Sequence, residues 1–367
     1  MANKTKFLWD IPVYSVTALP SCPLHEGSQI LCVSGGGGSS KTGIFNKIAV
    51  IALKDGLWTE KLHEIDVFPD VVTSLRVHPN GQFIACAIDS RTFIIPYNKE
   101  TGKLDIENSK KFQTDFLPDV RDRQQKTLSY SPEGDKIATG GSDGTLRVWN
   151  SGSHTQLKEY KTEKSTELKD VSFSPTGSHI VSVQDTHIQL WDVEKTDAPV
   201  WILEKDAKES RAIFKNAKWA VDGKGDTILF VNKSIPRKES SILKFVFPGG
   251  LKDLKKPKLV KKVRTSSEEI MTSLAVDTAG QFVGVGGSEG TTISYNQHLQ
   301  KMNEVKKTHN WFVSEVSFSG DGKYLISVSG DYHCNATEVR ETIGVNYRLL
   351  FILLALLVLF IALYLAL

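Results

Sequence analysis

Apolar residues recur two apart on either side of glycine-containing turns along most of this chain. The turns are His78-Pro79-Asn80-Gly81, Ser131-Pro132-Glu133-Gly134, Ser174-Pro175-Thr176-Gly177, Asp222-Gly223-Lys224-Gly225, Asp277-Thr278-Ala279-Gly280 and Ser319-Gly320-Asp321-Gly322. Six and four residues before each final glycine stand Leu75/Val77, Leu128/Tyr130, Val171/Phe173, Trp219/Val221, Leu274/Val276 and Val316/Phe318. Three residues after it stands Ile84, Ile137, Ile180, Ile228, Val283 or Leu325. Alternation by two around a glycine turn predicts a β-hairpin. A seventh, weaker copy centres on Gly27 and Ile30, with an irregular upstream half at Ser21 and Pro23.

Successive turn glycines lie 54, 53, 43, 48, 55 and 42 residues apart. A four-stranded blade needs about 40 to 50 residues. Seven such units between Val13 and Arg340 predict an all-β, seven-bladed propeller, in which each blade buries its faces against its neighbours. Later strands agree: Thr145-Leu146-Arg147-Val148-Trp149-Asn150 follows Ser142-Asp143-Gly144, and His187-Ile188-Gln189-Leu190-Trp191-Asp192 ends in a Trp-Asp pair. These residues resemble the WD-repeat family, in degenerate form. The last unit, Trp311 to Val339, is one strand short. Phe7-Leu8-Trp9 either supplies that strand and closes the ring or frays as a terminus.

Residues 349–367 break the pattern: they are apolar on every face, with Tyr364 the sole polar group. As a helix they would be roughly 28 Å long, close to a bilayer's hydrocarbon core. The expected organisation is therefore a propeller over 1–340, a juxtamembrane linker over 341–348 and a transmembrane helix over 349–367. The start has no apolar core of a secretory signal. Cys22, Cys32, Cys86 and Cys334 lie far apart, which fits a reduced compartment and excludes a zinc or disulfide framework. The propeller is thus expected in the cytosol. The net charge of +3 gives no sign of nucleic acid. A basic run over 251–265, with Lys252, Lys255, Lys256, Lys258, Lys261, Lys262 and Arg264, reads as a solvated insertion loop or as a patch for anionic lipid or an acidic partner. The sequon Asn335-Ala336-Thr337 is taken as chance.

The candidate chemistry lies in the first unit, between its second and third strands. Residues 34–47 hold four consecutive glycines, Gly35 to Gly38, then Ser39, Ser40, Lys41, Thr42, Gly43, Ile44, Phe45, Asn46 and Lys47. The glycines are expected to serve backbone freedom rather than packing. The segment nearly fits a phosphate-binding loop, but Ser40 replaces the second glycine. The adjoining residues, Ile48 to Leu53, read as a strand rather than a helix, which argues against nucleotide hydrolysis. Three readings stay open. The loop could fold backbone carbonyls around a large monovalent cation, as it carries no acidic cluster for a divalent one. It could dock a partner through Ile44 and Phe45 with Asn46 as donor and acceptor. Or it could be a plain glycine linker, with Ile44 and Phe45 starting the next strand.

The degenerate propeller, the glycine loop ending Gly43-Ile44-Phe45-Asn46-Lys47 and the C-terminal apolar segment together resemble one family. It is the endoplasmic-reticulum guanine-nucleotide exchange factors for the Sar small GTPase, also called prolactin regulatory element-binding proteins. The resemblance implies a non-enzymatic exchange activity that starts assembly of the coat protein complex II vesicle coat. It implies a potassium ion held by backbone carbonyls of Gly37, Gly38, Ser39, Ser40 and Thr42. Asn46 would act on the GTPase with Ile44 and Gly43 in support, and Lys41, Phe45 and Lys47 would contact it. The implied location is the endoplasmic-reticulum membrane, single-pass, with the C-terminus at the lumenal face and no small-molecule substrate. The alternative is a non-catalytic, membrane-anchored WD-repeat scaffold that assists export.

Overall fold

The computed structural model describes residues 6–38, 43–67, 71–161, 166–195, 198–251 and 256–339. Seven antiparallel sheets follow one another around a ring. Blade 1 is built from Val13–Leu19, Gln29–Gly35, Lys47–Lys54 and Leu57–Asp66. Blades 2 to 6 repeat the order, with innermost strands Val72–Val77, Gln125–Tyr130, Asp170–Phe173, Ile213–Val221 and Met271–Val276. Blade 7 takes Val313–Phe318, Tyr324–Ser329 and His333–Glu338 from the end of the described chain and its outermost strand, Lys6–Leu8, from the beginning. Phe7 faces Cys334 across that pairing. The N-terminal segment thus closes the ring, and closure removes a free sheet edge.

The expected hairpins are present. Val77 faces Ile84, Tyr130 faces Ile137, Phe173 faces Ile180, Val276 faces Val283 and Phe318 faces Leu325. Blade 5 departs from this register. Its turn closes between Asp222 and Asp226, one residue tighter than the His78 to Phe83 closure in blade 2. Ile228 therefore faces Ala220, and Val221 is exposed rather than part of the core.

Among the described residues the core is divided into seven apolar clusters, one at each junction between neighbouring blades. Second strands are covered on both faces and are buried almost throughout, as in Phe83–Ile88 and His179–Val183. Trp149 and Trp191 reach back from third strands and donate to Thr139 (2.8 Å) and Ser182 (2.9 Å), so each buried indole keeps a partner for its N–H. In blade 7 the second-strand hydroxyl of Ser327 is met instead by His309, from the connection before the first strand, at 2.9 Å, with Asp331 3.1 Å from the other ring nitrogen.

Antiparallel order gives the ring two unlike faces. The glycine turns lie on one, here called the turn face. The connections between second and third strands, and those between blades, lie on the other, the loop face. Val339 donates to the Lys323 carbonyl (2.8 Å), just past a glycine turn, so the chain leaves the propeller on the turn face.

No helix among the described residues is long and apolar enough to cross a membrane. The expected linker 341–348 and membrane segment 349–367 lie outside the described residues, as do Lys252 and Lys255. Lys258, Lys261, Lys262 and Arg264 are not in an insertion loop: Lys258–Ser266 is the outermost strand of blade 5, with Lys256 just before it. Val260, Val263 and Thr265 supply the β-branched residues that a strand favours. Asn335 is buried in a strand and donates to the Thr308 carbonyl (2.8 Å).

Candidate functional site

The glycine loop, residues 36–46, rises from the loop face between paired strand ends. Gly35 faces Lys47, and the two strands stay in register back to Gln29 and Leu53. Corresponding connections in other blades are short, such as 89–90 and 142–144.

The first two glycines are demanded by packing, contrary to the expectation that they serve backbone freedom alone. A Cβ on Gly35 would sit 1.7 Å from the Pro12 carbonyl oxygen. One on Gly36 would sit 2.2 Å from Asn46 Oδ1 and 2.7 Å from the Phe45 carbonyl oxygen. Gly36 also donates to Pro12 at 3.0 Å and has a φ of 142°. Gly38 and Gly43 take φ values of 69° and 75°, the region that side chains avoid. The chain entering blade 1 and the ascending limb of the loop are therefore in backbone contact.

Asn46 is buried, and its side chain spans the loop. Oδ1 accepts from the Gly38 amide at 2.9 Å and Nδ2 donates to the Gly38 carbonyl at 3.2 Å. Its own carbonyl accepts from Val67 (2.8 Å). The carboxamide thus replaces a backbone pairing where the two limbs diverge. Ile44 is half-buried and packs on the apolar cluster between blades 1 and 7, which includes Trp9, Ile11 and Val328. Phe45, between these anchored neighbours, is 69% exposed. Lys47 is held at the base: its ammonium lies 2.8 Å from Asp10 and 3.1 Å from Glu64, and its side chain is 13% exposed. The Asp10 hydrogen bond, with Glu64, raises its pKa against the opposing effect of burial. Burial alone would raise the Glu64 pKa, but hydrogen bonds from Lys61, Trp9 and Lys47 outweigh it and hold the carboxyl below its usual range.

The structure thus brings Gly43, Ile44, Phe45, Asn46 and Lys47 together with Gly37 and Gly38, and among the described side chains of the loop it turns Phe45 outward. Ser39, Ser40, Lys41 and Thr42 lie outside the described residues. The described limbs offer backbone carbonyls and no carboxylate, and no group of metal-binding side chains occurs among the described residues. Backbone carbonyls are donors of the kind that can replace the hydration shell of a large monovalent cation.

The loop's surroundings were not apparent from the sequence. Trp311 (58% exposed) and Phe312 (43%) lie on the loop face, just before the first strand of blade 7. Trp311 and Tyr14 flank the same point over Gly330, so an aromatic surface borders the junction on which the glycine loop stands. An apolar pair just upstream of an innermost strand was the available signal.

The family model for the WD domain, G-beta repeat, matches residues 124–150, 154–192 and 301–335. The second and third matches each begin with the outermost strand of one blade and end with the third strand of the next. SEC12-like protein 2 of Arabidopsis thaliana is 28% identical over 307 residues, covering 82% of this chain and 74% of that protein. The guanine nucleotide-exchange factor SEC12 of Rattus norvegicus is 22% identical over 360 residues, covering 84% and 81%. The protein transport protein sec13 of Aspergillus oryzae is 26% identical over 202 residues, covering 50% and 64%.

Proposed function

We propose that this chain, a WD-repeat propeller of the SEC12 type, is a guanine-nucleotide exchange factor for a Sar-type small GTPase, working in vesicle coat assembly at the endoplasmic reticulum. The named exchange factors among its relatives support a GTPase partner. One observation carries the role of the loop: an exposed Phe45 held between a packed Ile44 and a stapled Asn46 on a rigid base. A loop that must distort its partner needs such a base, because binding energy spent on ordering a floppy loop is lost.

An exchange factor makes and breaks no covalent bond. It binds the nucleotide-free GTPase more tightly than the GDP form, so by linkage it lowers nucleotide affinity by the same factor. Phe45 would enter the switch region and displace the contacts that hold GDP. The aromatic surface with Trp311 and Phe312 would hold the rest of the partner. Asn46 would act as a positioning residue through Gly38, with Gly43 letting the descending limb turn.

Potassium, where bound, would be held by the carbonyls of Gly37 and Gly38 together with Ser39, Ser40 and Thr42, and would supply a fixed positive centre for the loop carbonyls. Lys41 and Lys47 would contact the GTPase, Lys47 being already paired at the base. Residues 349–367 would anchor the chain in the membrane.

The test is release of fluorescent GDP from a Sar-type GTPase with the full chain in detergent. Acceleration by tenfold or more is expected. No acceleration overturns the exchange reading and leaves the scaffold alternative. Replacing potassium by lithium should lower the rate and increase amide exchange over residues 36–46; unchanged values for both would remove the ion.

A further inference from the structure

The central channel carries charge that the glycine loop does not use. It is a cavity of about 270 Å³ lined by the innermost strands of all seven blades. In six of those strands the pairing shifts register at the start, leaving one bulged residue out of the ladder. A bulge re-aims its side chain, and here the bulged residues Tyr14, Thr73, Lys126, Lys215, Thr272 and Ser314 line the channel near the loop face. In blade 4 Lys169 takes the same place, immediately before the first paired residue, Asp170. Three adjacent blades thus contribute lysines to one ring, and the remaining positions contribute hydroxyls.

The carboxylates one level deeper do not neutralise this ring. Asp170 pairs with Lys218 (2.7 Å) and accepts from the Ala217 amide. Glu315 pairs with Arg76 (2.9 Å) and accepts from Ser15. At the mouth, Lys126 and Lys169 share the carboxylate of Glu167. Asp185 lies 3.8 Å from Lys169. The half-buried Lys215 side chain makes no ion pair or hydrogen bond among the described residues. Glu167 and Asp185 thus offset Lys126 and Lys169, and Lys215 is left as the uncompensated member; grouping like charges in a recess costs energy unless an anion joins them. The side chains of Lys126 and Lys169 are only 32% and 26% exposed. That partial burial favours a small ligand over a flat acidic protein surface.

We propose that the loop-side mouth of the channel binds a small polyphosphate, with Lys126, Lys169 and Lys215 as its cation triad; the Thr73 and Thr272 hydroxyls already donate to backbone carbonyls and only line the recess. Clustered phosphates occur on soluble inositol polyphosphates and on phosphoinositide headgroups. The recess, on the face opposite the chain's exit, selects the soluble form. This site stands whether or not the chain is an exchange factor.

Titration calorimetry of the full chain in detergent with inositol hexakisphosphate tests it. Saturable one-to-one binding is expected, weakened at least tenfold in the triple variant Lys126→Gln/Lys169→Gln/Lys215→Gln. Lys215→Gln alone should weaken it about threefold. That variant loses no internal contact and so covers the case in which the triple variant misfolds. Lys224→Gln, exposed on the turn face, should bind as the parent does. The proposal is overturned by absence of saturable binding, by equal binding in Lys215→Gln and parent, or by equal displacement with sulfate at matched ionic strength. Binding to vesicles containing phosphatidylinositol bisphosphate, with none to the soluble compound, overturns the soluble assignment.

Discussion

Asn46 and Phe45 are neighbours with opposite surroundings, so their substitutions should separate structure from contact. Asn46→Ala removes both side-chain hydrogen bonds to Gly38. It should cost about 1–3 kcal/mol in loop order, seen as faster amide exchange at residues 36–46, and exchange activity should fall with it. Phe45→Ala, at an exposed position, should leave thermal stability within about 0.5 kcal/mol while reducing GDP release at least tenfold. If Phe45→Ala leaves the rate intact, the outward side chain is not the contact. Glu64 makes a pH test possible. Its folded pKa lies below the unfolded value of about 4.3. The stability it contributes is present above that value and is lost as pH falls through the folded one. Between pH 6 and pH 3 the urea midpoint of the parent should drop further than that of Glu64→Gln. Parallel curves would mean that the Lys47, Lys61 and Trp9 contacts carry no folding energy.

The closing strand and the glycine loop share one apolar junction. Trp9 and Ile11 belong to the same buried cluster on which Ile44 packs, and the Trp9 indole donates to Glu64 at the loop base (2.8 Å). Trp9→Ala should therefore cost about 3–5 kcal/mol and also loosen residues 36–46, although Trp9 lies outside the loop. A melting point lowered with unchanged loop protection would show the two elements to be independent. Gly35→Ala, which drives a methyl into Pro12, belongs to the same junction and should be destabilising by at least about 1–3 kcal/mol. The blades were legible in the sequence because six hairpins keep their turn glycine and flanking alternation, the first being irregular upstream of Gly27. Blade 5 was misread by one residue because its tighter turn keeps the glycine but moves the closure. The loop's position was legible too, from its place between two apolar runs. The role of its first two glycines was not, since it depends on Pro12, more than twenty residues earlier. Lys126 and Lys169 each stand eight residues before a turn glycine, as Thr73, Thr272 and Ser314 do. The longer innermost strand of blade 5 hides Lys215 from that count.

On the scale of the whole ring, the loop and the chain's exit are separated by the depth of the propeller. An innermost strand of six residues spans about 20 Å, and the glycine loop adds to that on the far side. The expected linker 341–348 reaches at most about 28 Å when fully extended. A propeller anchored through residues 349–367 would then turn its turn face to the bilayer and hold the loop, the aromatic surface and the lysine ring toward the cytosol. An activator placed this way would meet its GTPase from solution. The four native cysteines are free and all buried, so a single engineered thiol can be labelled selectively. In liposomes carrying an energy acceptor on the headgroups, a dye on Lys323→Cys should be strongly quenched and one on Phe45→Cys weakly. Both positions are on the surface, so neither label needs the fold to open. Equal quenching would mean that the ring stands edge-on to the membrane. Stronger quenching at position 45 would place the loop against the lipid and leave a soluble GTPase no approach to it.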